Sequence, residues 1–253
     1  MLRRDRGIAA AALATVILLA WGYLILMAGM PMEMAPIAGA TSMPAPWSVG
    51  QAAMMLLMWA LMMLAMMLPS AAPMILLYGA ISRRQHPEDG SVGGRIFVFA
   101  LGYLVVWLGF ALVATATQWG LERAMLLSPA MATGSTVLAS VIFVAAGAYQ
   151  FTTLKQACLR HCRSPLEFLA SHWRTGMAGA WGMGLHHGAY CVGCCWLIMG
   201  LLFVGGVMNL AWIAVLALFV LLEKTLAAGH LVGRVMGIGL VAWGTVQLVA
   251  AFV

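Results

Sequence analysis

Residues 181–205 read Trp181-Gly-Met183-Gly-Leu-His186-His187-Gly-Ala-Tyr190-Cys191-Val-Gly-Cys194-Cys195-Trp-Leu-Ile-Met199-Gly-Leu-Leu-Phe-Val-Gly205, a run with no Asp, Glu, Lys or Arg. An α-helix needs about 20 predominantly apolar residues to cross the hydrocarbon of a bilayer, so this run is long enough. Yet it carries two imidazoles, three thiols and two thioethers. Polar and ionisable groups at such depth are expensive and are functional candidates by default. Soft sulfur with imidazole suits Cu(I) first and Zn(II) second.

Outward from this run the chain repeats the pattern. Its 253 residues are 64% hydrophobic and 8% charged, which excludes an ordinary soluble domain. About seven apolar runs are visible, at 8–29, 52–78, 96–119, 133–154, 181–205, 207–222 and 235–253. The sixth is short and tightly linked to the fifth. No strand-period pattern, internal repeat or nucleotide-binding glycine loop is present. The expected fold is all-α, a polytopic membrane helix bundle of about seven transmembrane helices, six plus an N-terminal signal anchor. Residues 1–50 would form the anchor helix and a Met/Pro-rich outer loop, and 51–253 the metal-binding bundle. The first run follows Arg3, Arg4 and Arg6 but lacks a small-x-small cleavage site, so it reads as a retained anchor.

The net charge of +6 does not point to nucleic acid, because the basic residues sort by loop. With a cytoplasmic N-terminus, Arg3, Arg4, Arg6, Arg83, Arg84, Arg95, Lys155, Arg160, Arg163, Arg174, Lys224 and Arg234 all fall inside, and Arg123 outside. This orientation predicts a multi-pass protein of the bacterial inner membrane with a periplasmic C-terminus. The first outer loop holds Met30, Met32, Met34 and Met43 among prolines, either a mobile thioether capture segment or an apolar loop on the membrane surface.

Helical periodicity arranges the donors. Residues three and four apart share a face, so Met183, His187, Cys191, Cys194 or Cys195, and Met199 form one stripe, with His186, Tyr190 and Cys194 beside it. Interleaved Gly182, Gly184, Gly188 and Gly193 would let a neighbouring helix approach closely. Free cysteines often pack as small hydrophobes, but three within five residues, one turn above a histidine pair, favour a metal or redox role.

The second run supplies a facing wall: Met62, Met63, Met66, Met67 and Met74 recur at helical spacing around Pro69 and Pro73. A methionine stripe alone is usually gap-filling core. Proline, however, opens backbone carbonyls that must line protein or a cavity. Under the positive-inside orientation Met66–Met74 and His186–Cys194 lie at the same depth.

A third group, Cys158, His161 and Cys162 among basic residues, would form a separate inner station, since nearby cations favour the thiolate that binds metal. Glu223 and Lys224 are expected to pair with each other at the inner interface, His230 to be a surface histidine, and His172 to be a simple interfacial residue.

Four blocks carry a family resemblance: Met-Met-Leu-Ala-Met-Met-Leu-Pro-Ser-Ala-Ala-Pro-Met (62–74), Leu-Lys-Gln-Ala-Cys-Leu-Arg-His-Cys-Arg-Ser-Pro (154–165), His-Gly-Ala-Tyr-Cys-Val-Gly-Cys-Cys-Trp (187–196) and Phe-Val-Leu-Leu-Glu-Lys (219–224). Over roughly residues 50–253 the chain resembles a bacterial family of predicted metal-binding integral membrane proteins, itself a domain of unknown function. The resemblance implies a polytopic inner-membrane protein with a metal site and names no activity.

The expected metal ligands are His186, His187, Cys191, Cys194, Cys195, Met62, Met63, Met66, Met67 and Met74, with Cys158 and Cys162 as the inner station. The expected function is Cu(I) binding, with Zn as the alternative metal, for copper transfer or for supply to a membrane cuproenzyme. That function leans away from catalysis. The expected partners are the lipid bilayer and a copper chaperone or cuproenzyme, with an oligomer or a larger membrane complex as the setting. Two other classes stay open. One is a thiol–disulfide oxidoreductase using the Cys191-x-x-Cys194 pair. The other is a structural or assembly subunit whose methionines only pack.

Overall fold

Each apolar run forms helix in the computed structural model, which describes residues 2–29, 47–85, 92–128 and 131–252, with side chains from Gly7 onward. The methionine-rich loop of residues 30–46 and His86 lie outside the described residues. The helices are α1 (Leu2–Gly29), α2 (Val49–Gln85), α3 (Val92–Arg123), α4 (Thr136–Tyr149), α5 (Thr153–Arg163), α6 (Pro165–His172), α7 (Gly176–Gly200), the single turn α8 (Leu202–Gly205), α9 (Leu210–Thr225) and α10 (Gly229–Ala250). Among the described residues the only β pairing is one isolated bridge, Leu127 to Thr133. The fold is an all-helical, polytopic bundle.

Five helices are long and apolar enough to cross a membrane, or six if α4 and α5, bent 64° to each other, count as one broken span. The remaining run, α9, has 16 residues and falls short, as its sequence foreshadows.

The breaks have local causes. Ser135, Thr152 and Asn209 cap α4, α5 and α9, each side chain accepting from a backbone N–H three residues on. Pro165 opens α6 at a position where no backbone donor is needed. Gly206, at φ +93°, turns the chain between α8 and α9.

Pro69 and Pro73 do not break α2, which runs unbroken over 37 residues. The expectation of an opened carbonyl nevertheless holds at one position. Pro69 has no N–H for the carbonyl of Ala65, and the Trp21 indole of α1 donates to that oxygen at 3.1 Å. The same contact helps seat α1 on α2, where Ala20 and Leu24 are buried.

Glycine sets the tightest contacts. α3 and α7 are the most closely packed pair. A Cβ at Gly184 would overlap the Phe99 carbonyl, and one at Gly102 would stand 2.7 Å from the Trp181 carbonyl. Backbone-to-backbone approach of this kind is what small residues permit between apolar helices. α4 and α10 pack the same way: a Cβ at Gly147 would stand 2.7 Å from the Gly237 carbonyl. At one end of the bundle Gln118 accepts from the Trp59 indole at 2.7 Å and donates to Glu122 at 2.9 Å, so the amide is fully engaged.

Candidate metal centre

The α7 stripe is buried as its periodicity requires: Met183, His187, Cys191, Cys194, Cys195 and Met199 all face the core. What meets it comes from four other helices. From α2, the Met67 thioether lies 3.9 Å from Cys195 Sγ. From α5, Cys162 Sγ lies 4.0 Å from Cys194 Sγ. From α3, the Tyr103 hydroxyl sits 3.1 Å from Cys191 Sγ and 3.3 Å from the Met67 carbonyl. From α9, the Lys224 ammonium donates to Cys191 Sγ at 2.9 Å and to Ser70 Oγ at 3.3 Å.

The sulfur spacing carries chemical information. With a metal–sulfur bond of about 2.3 Å, two sulfurs on one ion stand about 3.8 Å apart in a tetrahedral site and about 4.6 Å apart in a linear one. The pairs Cys162/Cys194 and Cys195/Met67 both fall inside that window. A disulfide would need about 2.05 Å, and all five cysteines are free thiols. Cys194 and Cys195 at present donate to the Cys191 carbonyl at 3.1 and 2.9 Å, the usual resting contact of a helical thiol. Among the described residues no three His, Cys, Asp or Glu side chains converge as a finished cage. The sulfurs stand as pairs.

His187 adds an orphan. Its ring is packed near Phe99, Tyr103 and Phe168 at centroid distances of 6.3, 5.5 and 5.6 Å. Its Nδ1 is buried with no hydrogen-bond partner. A buried polar atom left unpaired calls for an explanation such as an ion, and a neutral imidazole nitrogen is a ligand for copper or zinc.

Several expected placements shift. Cys162 is not in a separate inner station, because the bend between α4 and α5 brings α5 back onto α7 and joins this thiol to the main cluster. Cys158 is half-buried, and a Cβ at Gly193 would lie 2.8 Å from its sulfur, so it flanks the cluster. His186 is exposed and its Nδ1 bonds the Gly182 carbonyl at 2.8 Å, apart from the sulfurs. Met62, Met63, Met66 and Met74 are buried in the α2 core, and of this group Met67 brings its sulfur to a thiol.

Glu223 and Lys224 do not pair with each other. Successive residues on a helix point about 100° apart, and both are buried. Glu223 takes Lys155 at 2.7 Å in a wholly buried ion pair that Gln150 joins. Lys224 turns to Cys191. Lys224 and Tyr103 are the residues that sequence reasoning missed. The signal for the lysine was its place at the end of an apolar run, and nothing in sequence ties it to a cysteine 33 positions away.

All of these positions lie within residues 56–247, which match the family profile described as PpoB2, copper chaperone. The chain belongs to this family. No curated protein and no solved structure matches the chain. Membership narrows the resemblance read from the sequence, since a metal-binding family becomes one whose metal is copper. The PpoB2 match runs from residue 56, within α2, through nearly all of α10, and takes in both sulfur pairs, His187, Tyr103 and Lys224.

Proposed function

We propose that the chain is a membrane-embedded Cu(I) carrier of the bacterial inner membrane, holding its cargo between the thiols of α5 and α7 and the Met67 thioether. The observation that carries this reading is the meeting of five sulfurs (Cys162, Cys191, Cys194, Cys195 and Met67) with one buried ammonium. A cuprous ion held by two thiolates has a net charge of −1, and burying that charge unpaired is unfavourable. Lys224 supplies the opposite charge at 2.9 Å from Cys191, so the loaded site sums to zero. Ser70, which donates to the Met67 carbonyl at 2.9 Å, holds the ammonium in place.

Delivery rather than storage follows from the ligand set. Thioethers bind Cu(I) more weakly than thiolates do, and pairs allow a ligand-by-ligand exchange that a closed cage does not. A supply role toward a membrane cuproenzyme or a second carrier suits this arrangement. Thiol–disulfide exchange is disfavoured, because Cys162, Cys191, Cys194 and Cys195 are buried free thiols spaced for a shared metal rather than for a disulfide.

The test is copper counting with X-ray absorption at the copper edge on protein purified in detergent under reducing conditions. One Cu(I) per chain with sulfur scatterers at about 2.3 Å is expected. The triple substitution Cys191→Ser, Cys194→Ser, Cys195→Ser should abolish that signal. A wild-type chain that stays metal-free while cycling a disulfide would refute the carrier.

A further inference from the structure

A second group of donors sits on the flank of the bundle, outside the sulfur cluster. His161 on α5, His172 on α6 and His186 on α7 are half-buried or exposed; His161 and His172 meet Tyr190, and His186 meets His172. His161 stacks on that tyrosine at 4.2 Å and 6°. His172 lies 6.0 Å from His161 on one side and 6.0 Å from His186 on the other.

The three rings share a hydrogen-bond pattern. Nδ1 of His161 bonds the Ala157 carbonyl at 2.9 Å, that of His172 the Phe168 carbonyl at 3.2 Å, and that of His186 the Gly182 carbonyl at 2.8 Å. A carbonyl oxygen only accepts, so Nδ1 carries the hydrogen in His161 and His186; His172 Nδ1 also meets the Ser171 hydroxyl at 2.9 Å, and with that hydroxyl donating to the Glu167 carbonyl at 2.8 Å its oxygen accepts from the ring. The lone pair of the neutral imidazole is then on Nε2. Metal-binding histidines are typically fixed in this way, by donating the other ring N–H to a carbonyl or carboxylate. Three independent rings from three helices are thus preset as Nε2 ligands.

The spacing fits ligation in pairs. A ring centre lies about 1.1 Å from Nε2, and Nε2 about 2.0–2.1 Å from a bound ion, so two imidazoles sharing one ion have centres at most about 6.3 Å apart. Both 6.0 Å distances lie just under that limit.

We propose that His161, His172 and His186 form a docking station for the cuprous cargo, made of two overlapping two-imidazole clamps that share His172. It rests on the copper-carrier reading of the buried site and adds the place where the ion is taken on or given up. Imidazole is a less soft donor than thiolate, so this station holds Cu(I) more weakly than the sulfur pairs. Its position joins it to them: His172 stacks on Phe168 at 4.8 Å, and Phe168 stands 5.6 Å from His187. Tyr190, which His161 covers, directly precedes Cys191.

The test loads the full chain in detergent with one and then two equivalents of Cu(I) under argon. In the wild type the second equivalent is expected to add nitrogen scatterers at about 2.0 Å. His172→Gln should weaken that second equivalent at least tenfold, because both clamps need it, and leave the sulfur-bound ion untouched. His230→Gln, at an exposed histidine elsewhere, should change nothing. A chain carrying Cys162→Ser, Cys191→Ser, Cys194→Ser and Cys195→Ser should still bind one nitrogen-ligated ion, so loss of the sulfur signal alone bears on the carrier and not on the station. As a readout without substitutions, Ag(I) should protect His161, His172 and His186 of the wild type from carbethoxylation and leave His230 reactive. A wild type without nitrogen scatterers at two equivalents, or a His172→Gln chain that binds the second equivalent as tightly, overturns the station. So does uniform carbethoxylation with and without Ag(I).

Discussion

Replacing Lys224 with glutamine removes one positive charge from the candidate copper site while keeping an N–H donor near Ser70 and Cys191. At 2.9 Å and an effective dielectric of about 20, a full pair of unit charges interacts by about 5.7 kcal/mol. In a cuprous dithiolate with Cys191 as one of its two thiolates the single negative charge is spread over two sulfurs, so roughly half of this, about 3 kcal/mol, acts on Cys191. That corresponds to about a hundredfold loss of Cu(I) affinity. In the apo chain the same substitution removes the Lys224–Cys191 contact, so its effect on the fold is read separately. The assay is a competition titration of detergent-purified protein against a chromogenic Cu(I) chelator under argon, beside a thermal melt of the apo form. A Kd within threefold of wild type, with the fold intact, would refute the anionic site and leave Lys224 a structural residue.

Three further outcomes test the frame around the site. Gly184→Ala places a methyl group on the Phe99 backbone, where no side chain can yield, and should destabilise the chain by at least about 1–3 kcal/mol by forcing α3 from α7. The exposure of the buried thiols to a fluorescent maleimide on heating reads this directly. Lys155→Met leaves Glu223 buried without its partner and is expected to cost about 3–5 kcal/mol, most of which the double change with Glu223→Leu should restore. A double variant no better than the single one would show that the pair matters for more than mutual neutralisation. Trp21→Phe strips the donor from the carbonyl that Pro69 leaves open, and a loss of about 1–3 kcal/mol is expected in the same melt.

Much of this was legible in the sequence because it depends on local periodicity. The run 181–205 could satisfy its backbone in an apolar setting only as a helix, and 3.6-residue periodicity then put Met183, His187, Cys191 and Cys195 on one face. The meeting of that face with the methionines of α2 was also anticipated, and Cys195 does contact Met67. The separation of Cys158 and Cys162 into a station of their own did not follow, since Thr152 marks where α5 begins but not the 64° angle that carries it back to α7. The pairing of Glu223 with Lys224 failed for a related reason. Adjacent residues on a helix diverge, and which neighbour each finds depends on helices far away in sequence.

Sequence alone thus determined that the chain is a bundle of apolar helices with a soft donor stripe, because hydropathy and helical period are properties of consecutive residues. Only the tertiary structure decided that Lys224 faces Cys191, that Tyr103 closes the site from α3, and that three histidines share one flank. Those are relations between helices, set by where glycines allow backbones to touch and where a bend returns the chain.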